Sequence, residues 1–251
     1  MSKLFQKIEQ ASKGTPAPLG FATRREERIP PILLILAASH PEDMSAARAV
    51  HPDAFLFPSP TPQGLEALAE ATQGIPWGVE VVPWSASLAE KALQHGADFL
   101  VVDMGAPLEA LNHEDLGRVV HLPKDVPEEV ANALEPLPVD GVILAEPVKP
   151  PLSLATAVEL AVWRGKIPRP VLVPVEHPPS AWELETLRDI GISGVVVSCA
   201  QMKPAALQDL RQRLQSLAHR RPSKDRPHPL LPQVTVPTAA RSEEEEEEDE
   251  E

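Results

Sequence analysis

The chain has 251 residues, 43% of them hydrophobic, and a net charge of −14. Nine of its acidic residues form the unbroken run 243–251, which leaves the remainder at −5, mildly acidic and without a basic stripe suited to nucleic-acid phosphates. The single cysteine, Cys199, excludes an internal disulfide, the N-terminus lacks an apolar signal-peptide core, and no apolar run approaches the ~18 residues of a membrane span. The expectation is a cytoplasmic chain with no membrane or nucleic-acid contact.

In chain order, residues 2–13 read as a short helix that covers one end of the main domain. Eight apolar runs come next, at residues 32–39, 54–59, 78–84, 98–104, 118–124, 141–147, 171–177 and 194–200. Each is aliphatic or β-branched and continuous rather than alternating, which suits parallel strands buried on both faces. Between them, residues 64–73, 87–95, 128–134, 153–164, 180–190 and 205–217 carry the i, i+3, i+4 apolar spacing of helices. Weaker patterns lie at 43–50 and 108–114. Ser87, Ser153 and Ser180 are placed as N-caps, and Gly96, Gly165 and Gly191 as stops.

A finer regularity accompanies the count. Asp53, Asp98, Asp140 and Ser193 stand in one register just before the even-numbered runs, and Ile-Pro pairs precede three odd-numbered ones. Four repeats of two strands and two helices predict a single closed (β/α)8 barrel over residues 1–218, with an open doubly wound sheet as the alternative. Residues 219–251 are Pro-rich, then basic, then polyacidic and aperiodic. They predict a disordered acidic tail, able to meet a basic protein partner or to act as a plain solubilising segment.

Residues 169–204, RPVLVPVEHPPSAWELETLRDIGISGVVVSCAQMKP, resemble the last two βα units of the phosphate-binding barrel superfamily, with the tryptophan synthase α-subunit family nearest in pattern. Residues 87–104 resemble helix-strand units of flavin-dependent barrels. The resemblance implies a barrel whose last two turns grip a phosphate, in some members that of FMN. This chain departs from the pattern where the grip is made. Phosphate binding uses backbone N–H groups that glycine leaves open. Here Pro174 lacks an N–H, Glu176 brings a carboxylate, and Ser198-Cys199 stands where the family has Gly-Ser.

Catalytic groups of such barrels sit where strands end. Those ends supply Asp103, Lys124, Glu146 and Glu176 as acid/base candidates, with His177, Ser198 and Cys199 as ligand-binding ones; His121 and Lys149 stand on the same rim. Glu80 is a further catalytic candidate. It lies inside GVEVVPW among apolar neighbours, so it must point into the barrel or pair with a helix residue; a salt bridge to a nearby Arg or Lys, or a place at the pocket mouth, is the structural alternative. A polar rim without chemistry is the plain alternative, since every strand ends in solvent. No ligand spacing marks a metal, and no Walker loop, GxGxxG, GxSxG or CxxC is present. Two functions fit: a binding or scaffold barrel that has lost its phosphate grip, or a small-molecule lyase, isomerase or flavin enzyme with its site at the strand C-termini.

Overall fold

The structure is a computed structural model and describes residues 2–13 and 29–219. The tail expected at 219–251 lies, from residue 220 on, outside the described residues. Eight strands close into a parallel barrel: β1 (Leu33–Ala37), β2 (Ala54–Pro58), β3 (Trp77–Glu80), β4 (Phe99–Val102), β5 (Gly117–Leu122), β6 (Gly141–Leu144), β7 (Val171–Val175) and β8 (Gly194–Ser198). Strand β8 pairs with β1 from Leu33↔Gly194 to Ala37↔Ser198, which removes the free edge an open sheet would have. The open-sheet alternative is thereby excluded.

The helices are α1 (Lys3–Lys13), α2 (Pro41–Arg48), α3 (Leu65–Ala71), α4 (Ala86–Gln94), α5 (Glu128–Asn132), α6 (Leu154–Gly165), α7 (Ala181–Ile190) and α8 (Pro204–Ser216). Where a helix was expected at 108–114, only a 3-10 turn forms, Leu108–Leu111. The segment is too short to nucleate a helix between Pro107 and Asn112. The cap of α4 is Ser85, not Ser87; its hydroxyl accepts from the Leu88 amide at 3.4 Å. Helix α6 takes in Gly165 as its last residue rather than ending before it. Ser180 caps α7 in a full capping box with Glu183, and Gly191 ends that helix at φ +97°.

Two apolar layers hold the barrel together. Phe55, Val79, Leu100, Val120, Val142, Val173 and Val197 face outward, where they pack under the helices. Leu33, Ile35, Leu56, Phe99, Val101, Val119, Ile143, Leu172 and Val196 face inward. Both faces of each strand are thus buried, the physical reason the runs are continuous rather than alternating.

The N-terminal end of the barrel is sealed. Inward-facing Gly78, Gly117 and Gly141 leave room that aromatic rings fill. A Cβ on Gly78 would stand 2.3 Å from the Phe99 ring, and one on Gly141 would stand 2.6 Å from Phe5 of α1. Helix α1 is pinned there by Asp98, whose carboxylate accepts from Ser2 Oγ (2.7 Å), Lys3 N (2.7 Å) and Leu4 N (2.9 Å), an N-cap supplied by a distant residue. The other aspartates of the register act at the same end. Asp53, only 5% exposed, accepts from Leu34 N and from Arg211, and Asp140 accepts from the backbone and guanidinium of Arg118. The repeated acidic position is a device for tying strand starts together.

Candidate functional site at the strand C-termini

With the bottom plugged, the candidate site is at the other end of the barrel, where the strands have their C-termini. Strand alternation decides which side chains face the barrel axis there. Gly78, Val119, Leu172 and Val196 point inward, so Glu80, His121, Pro174 and Ser198, two residues further along, point inward at the mouth.

Glu80 is the last residue of β3, and its Oε1 lies 3.0 Å from Nε2 of His121 on β5, with side-chain exposures of 23% and 17%. The approach is close, but Nε2 is buried without a hydrogen bond, so the two groups touch without a directed bond. Alternate strands of a barrel contribute to one layer, which is how β3 and β5 bring this pair together across β4. From sequence, Glu80 is expected inside the barrel, at its mouth, or paired with a helix residue, an Arg or a Lys; the structure sets it at the end of β3 beside a histidine on another strand instead. The sequence does not select His121 as the partner. The only sequence signal is its position on the strand β5, two residues beyond the inward Val119.

Glu176 follows β7 and pairs with Lys149 at 3.0 Å. Around it the backbone is occupied. Val148, from the segment after β6, bridges to Val175. Its N–H donates to the Pro174 carbonyl at 2.8 Å, and its carbonyl accepts the Glu176 N–H at 3.0 Å. The turn after β7 therefore has no N–H at Pro174 and a committed N–H at Glu176. After β8 the Cys199 N–H donates to Ala37 O at 2.8 Å, and the chain turns directly into α8. That helix opens with Pro204, which has no N–H, and the Ala206 N–H returns to Lys203 O.

The remaining candidates scatter. Asp103 follows β4 and its Oδ1 accepts from Gly105 N at 2.9 Å, closing a local turn. Lys124 is turned to the outer layer, 3.7 Å from Glu159 of α6. Glu146 and His177 are exposed on their loops. Cys199 is buried in the outer layer. Burial first, and the charge of Asp43 second, push its thiol up to about 12, so it is a neutral thiol and not a nucleophile at ordinary pH. Two clefts, of about 310 and 610 Å³, open at the opposite, N-terminal face. The arginines there already serve the scaffold: Arg164 donates to Gly191 O and Ile167 O, Arg188 to Ala218 O, and Arg211 to Asp53. Among the described residues no group of three or more His, Cys, Asp or Glu is gathered as a metal would require, and no helix is long and apolar enough to cross a membrane.

No protein-family model and no curated protein sequence matches the chain. Solved structures do. Tryptophan synthase subunit alpha from Legionella pneumophila superposes with a TM-score of 0.59 at 12% identity, over 86% of this chain and 100% of that one. Orotidine 5'-phosphate decarboxylase from Pyrococcus horikoshii gives 0.58 at 13%, over 74% and 100%. Thiamine phosphate pyrophosphorylase from Pyrococcus furiosus gives 0.57 at 14%, over 73% and 96%. The protein has the TIM-barrel fold that these structures share. At such identities the likeness is one of fold, and function must be argued from the site.

Proposed function

We propose that the chain is a binding barrel that has lost the phosphate grip of its fold neighbours and carries out no chemistry of its own, taking a small-molecule ligand other than a phosphate ester at the mouth. The observation that carries this reading is the turn after β7. Its amide donors are missing at Pro174 and used by Val148 at Glu176, and the Glu176 carboxylate adds negative charge to the same turn, which disfavours a phosphate dianion there. Lys149 pairs with that carboxylate, which offsets part of its positive charge at the turn. Calorimetric titration with inorganic phosphate and with sugar phosphates is the test. No saturable heat is expected, whereas saturable binding abolished by Ser198→Trp would overturn the reading.

A second reading rests on a different observation, the inward-facing Glu80–His121 pair. A carboxylate beside an imidazole is an acid/base couple of the kind a lyase or isomerase uses. It expects turnover of some carbonyl substrate that Glu80→Gln and His121→Gln each remove without unfolding the chain. The flavin branch of this reading expects visible flavin absorbance in the purified protein, and such absorbance would also overturn the non-catalytic proposal.

A further inference from the structure

Helix α6 is built against the rule for a surface helix. Its buried side is ordinary, with Leu160 and Trp163 under the helix. Its outer side is not: Leu154 is 81% exposed, Val158 53% and Val162 57%. These three stand at i, i+4 and i+8, so they form a single straight ridge about 12 Å long. Ala155, Ala161 and Gly165 are exposed beside them and leave shallow grooves along the ridge. On the next helix, α7, Trp182 of the first turn is 76% exposed. Glu183 ties that turn to α6 by accepting from the Leu152 amide, so the indole is held on the same side of the barrel.

The α6 ridge itself carries no net charge. Glu159, the one acid on α6, is matched by Lys124, and Arg164 is turned inward to the Gly191 and Ile167 carbonyls; the acids near Trp182, Glu183 and the exposed Glu185, belong to α7 and stand off the ridge. Neutrality bears on the partner. In a two-fold contact each group meets its own copy, so a charged patch repels itself and a neutral apolar one does not. A ridge spaced by four residues with small residues on its flanks also fits its own copy: i±4 ridges interdigitate at about −50°, the commonest helix-packing class. The four large side chains present about 300 Å² of apolar surface per copy, from their exposures and ordinary side-chain areas. A standard interface of about 800 Å² per partner is a little over half apolar, so the patch supplies most of the apolar core that a modest dimer needs.

We propose that the α6 ridge with Trp182 is a self-association surface, on which a second copy of this chain packs α6 against α6 about a two-fold axis near Val158. In that arrangement Leu154 of one copy lies against Val162 of the other. The dimer is weak and concentration-dependent, with a dissociation constant on the order of micromolar.

Sedimentation equilibrium of the full chain through the micromolar range tests this. The wild type is expected to pass from monomer to dimer. Val158→Glu sets two carboxylates face to face at the axis and should weaken the dimer by roughly tenfold or more, while the far-ultraviolet spectrum stays unchanged. Trp182→Ser should weaken it less. As a positive control, Val158→Cys should form a disulfide-linked dimer under mild oxidation, because Cys199 is buried and does not compete. A wild type that stays monomeric throughout overturns the proposal, whether the ridge is then covered by another part of this chain or by a different partner. A dimer indifferent to both Val158→Glu and Trp182→Ser overturns it equally.

Discussion

Replacing Phe5 with alanine probes how the barrel is closed at its N-terminal end, and the structure sets the size of the effect. The Phe5 ring occupies the space over Gly117 and Gly141; a Cβ on either glycine would come within 2.7 and 2.6 Å of it. Removing a fully buried phenylalanine costs about 3–5 kcal/mol, and Phe5 is only partly buried, so about 2–3 kcal/mol is expected. In a domain of this size that corresponds to a fall in Tm on the order of 4–12 °C. The glycines turn this into a sharper test. Neither has a positive φ, so their smallness answers only to space. Gly141→Ala alone should destabilise by about 1–3 kcal/mol through overpacking. In the Phe5→Ala background the added methyl enters vacated space, so the two changes should couple by at least ~1 kcal/mol. Urea denaturation of the four proteins, with unchanged m-values, measures the cycle. Additive effects, or a Phe5→Ala loss below about 0.5 kcal/mol, would refute the idea that α1 plugs the barrel.

Other expectations rest on single contacts. Asp53→Asn leaves Arg211 beside a neutral partner in a site where the carboxylate was 5% exposed, and should cost on the order of 3 kcal/mol in the same urea assay. Cys199 should resist thiol reagents in the native protein at pH 8 and react only when the chain is unfolded in denaturant. Its linkage has a definite sign. The thiol is raised from 9.0 to about 12 by burial, so the folded state holds the proton longer than the unfolded one. That contribution is complete below pH 9.0 and drains away as pH climbs toward about 12, so urea midpoints should fall over that window, and Cys199→Ala should flatten the fall.

The strands were legible because a barrel buries both their faces. Continuous runs such as VLVPV and GVVVS have few other homes, and aspartates marked the starts of β2, β4 and β6, with Ser193 in that place before β8. The inferred lack of a grip at Pro174 and Glu176 was readable for a similar local reason: the missing N–H of proline and the charge of glutamate need no tertiary context. What could not be read were facts of closure. Glu80 and His121 meet only because β3 and β5 contribute to one layer, and 41 residues of sequence carry no hint of that register. Lys124 stands on the rim by its place in the chain, but the turn after β5 takes it to Glu159 of α6. The occupation of the Glu176 amide depends on where Val148 lands, which the Pro-rich segment after β6 does not spell out. Ser85 and Ser87 were equivalent as caps by composition, and the extended backbone at Ser85, φ −140°, decided between them.

The proposed loss of the phosphate grip comes down to one amide. Hydrogen exchange at the Glu176 N–H, followed by NMR with and without inorganic phosphate, interrogates it directly. The account predicts slow exchange in the free protein, because that N–H donates to Val148 O at 3.0 Å, and no change when phosphate is added. Fast exchange in the free protein that becomes slow with phosphate would contradict it.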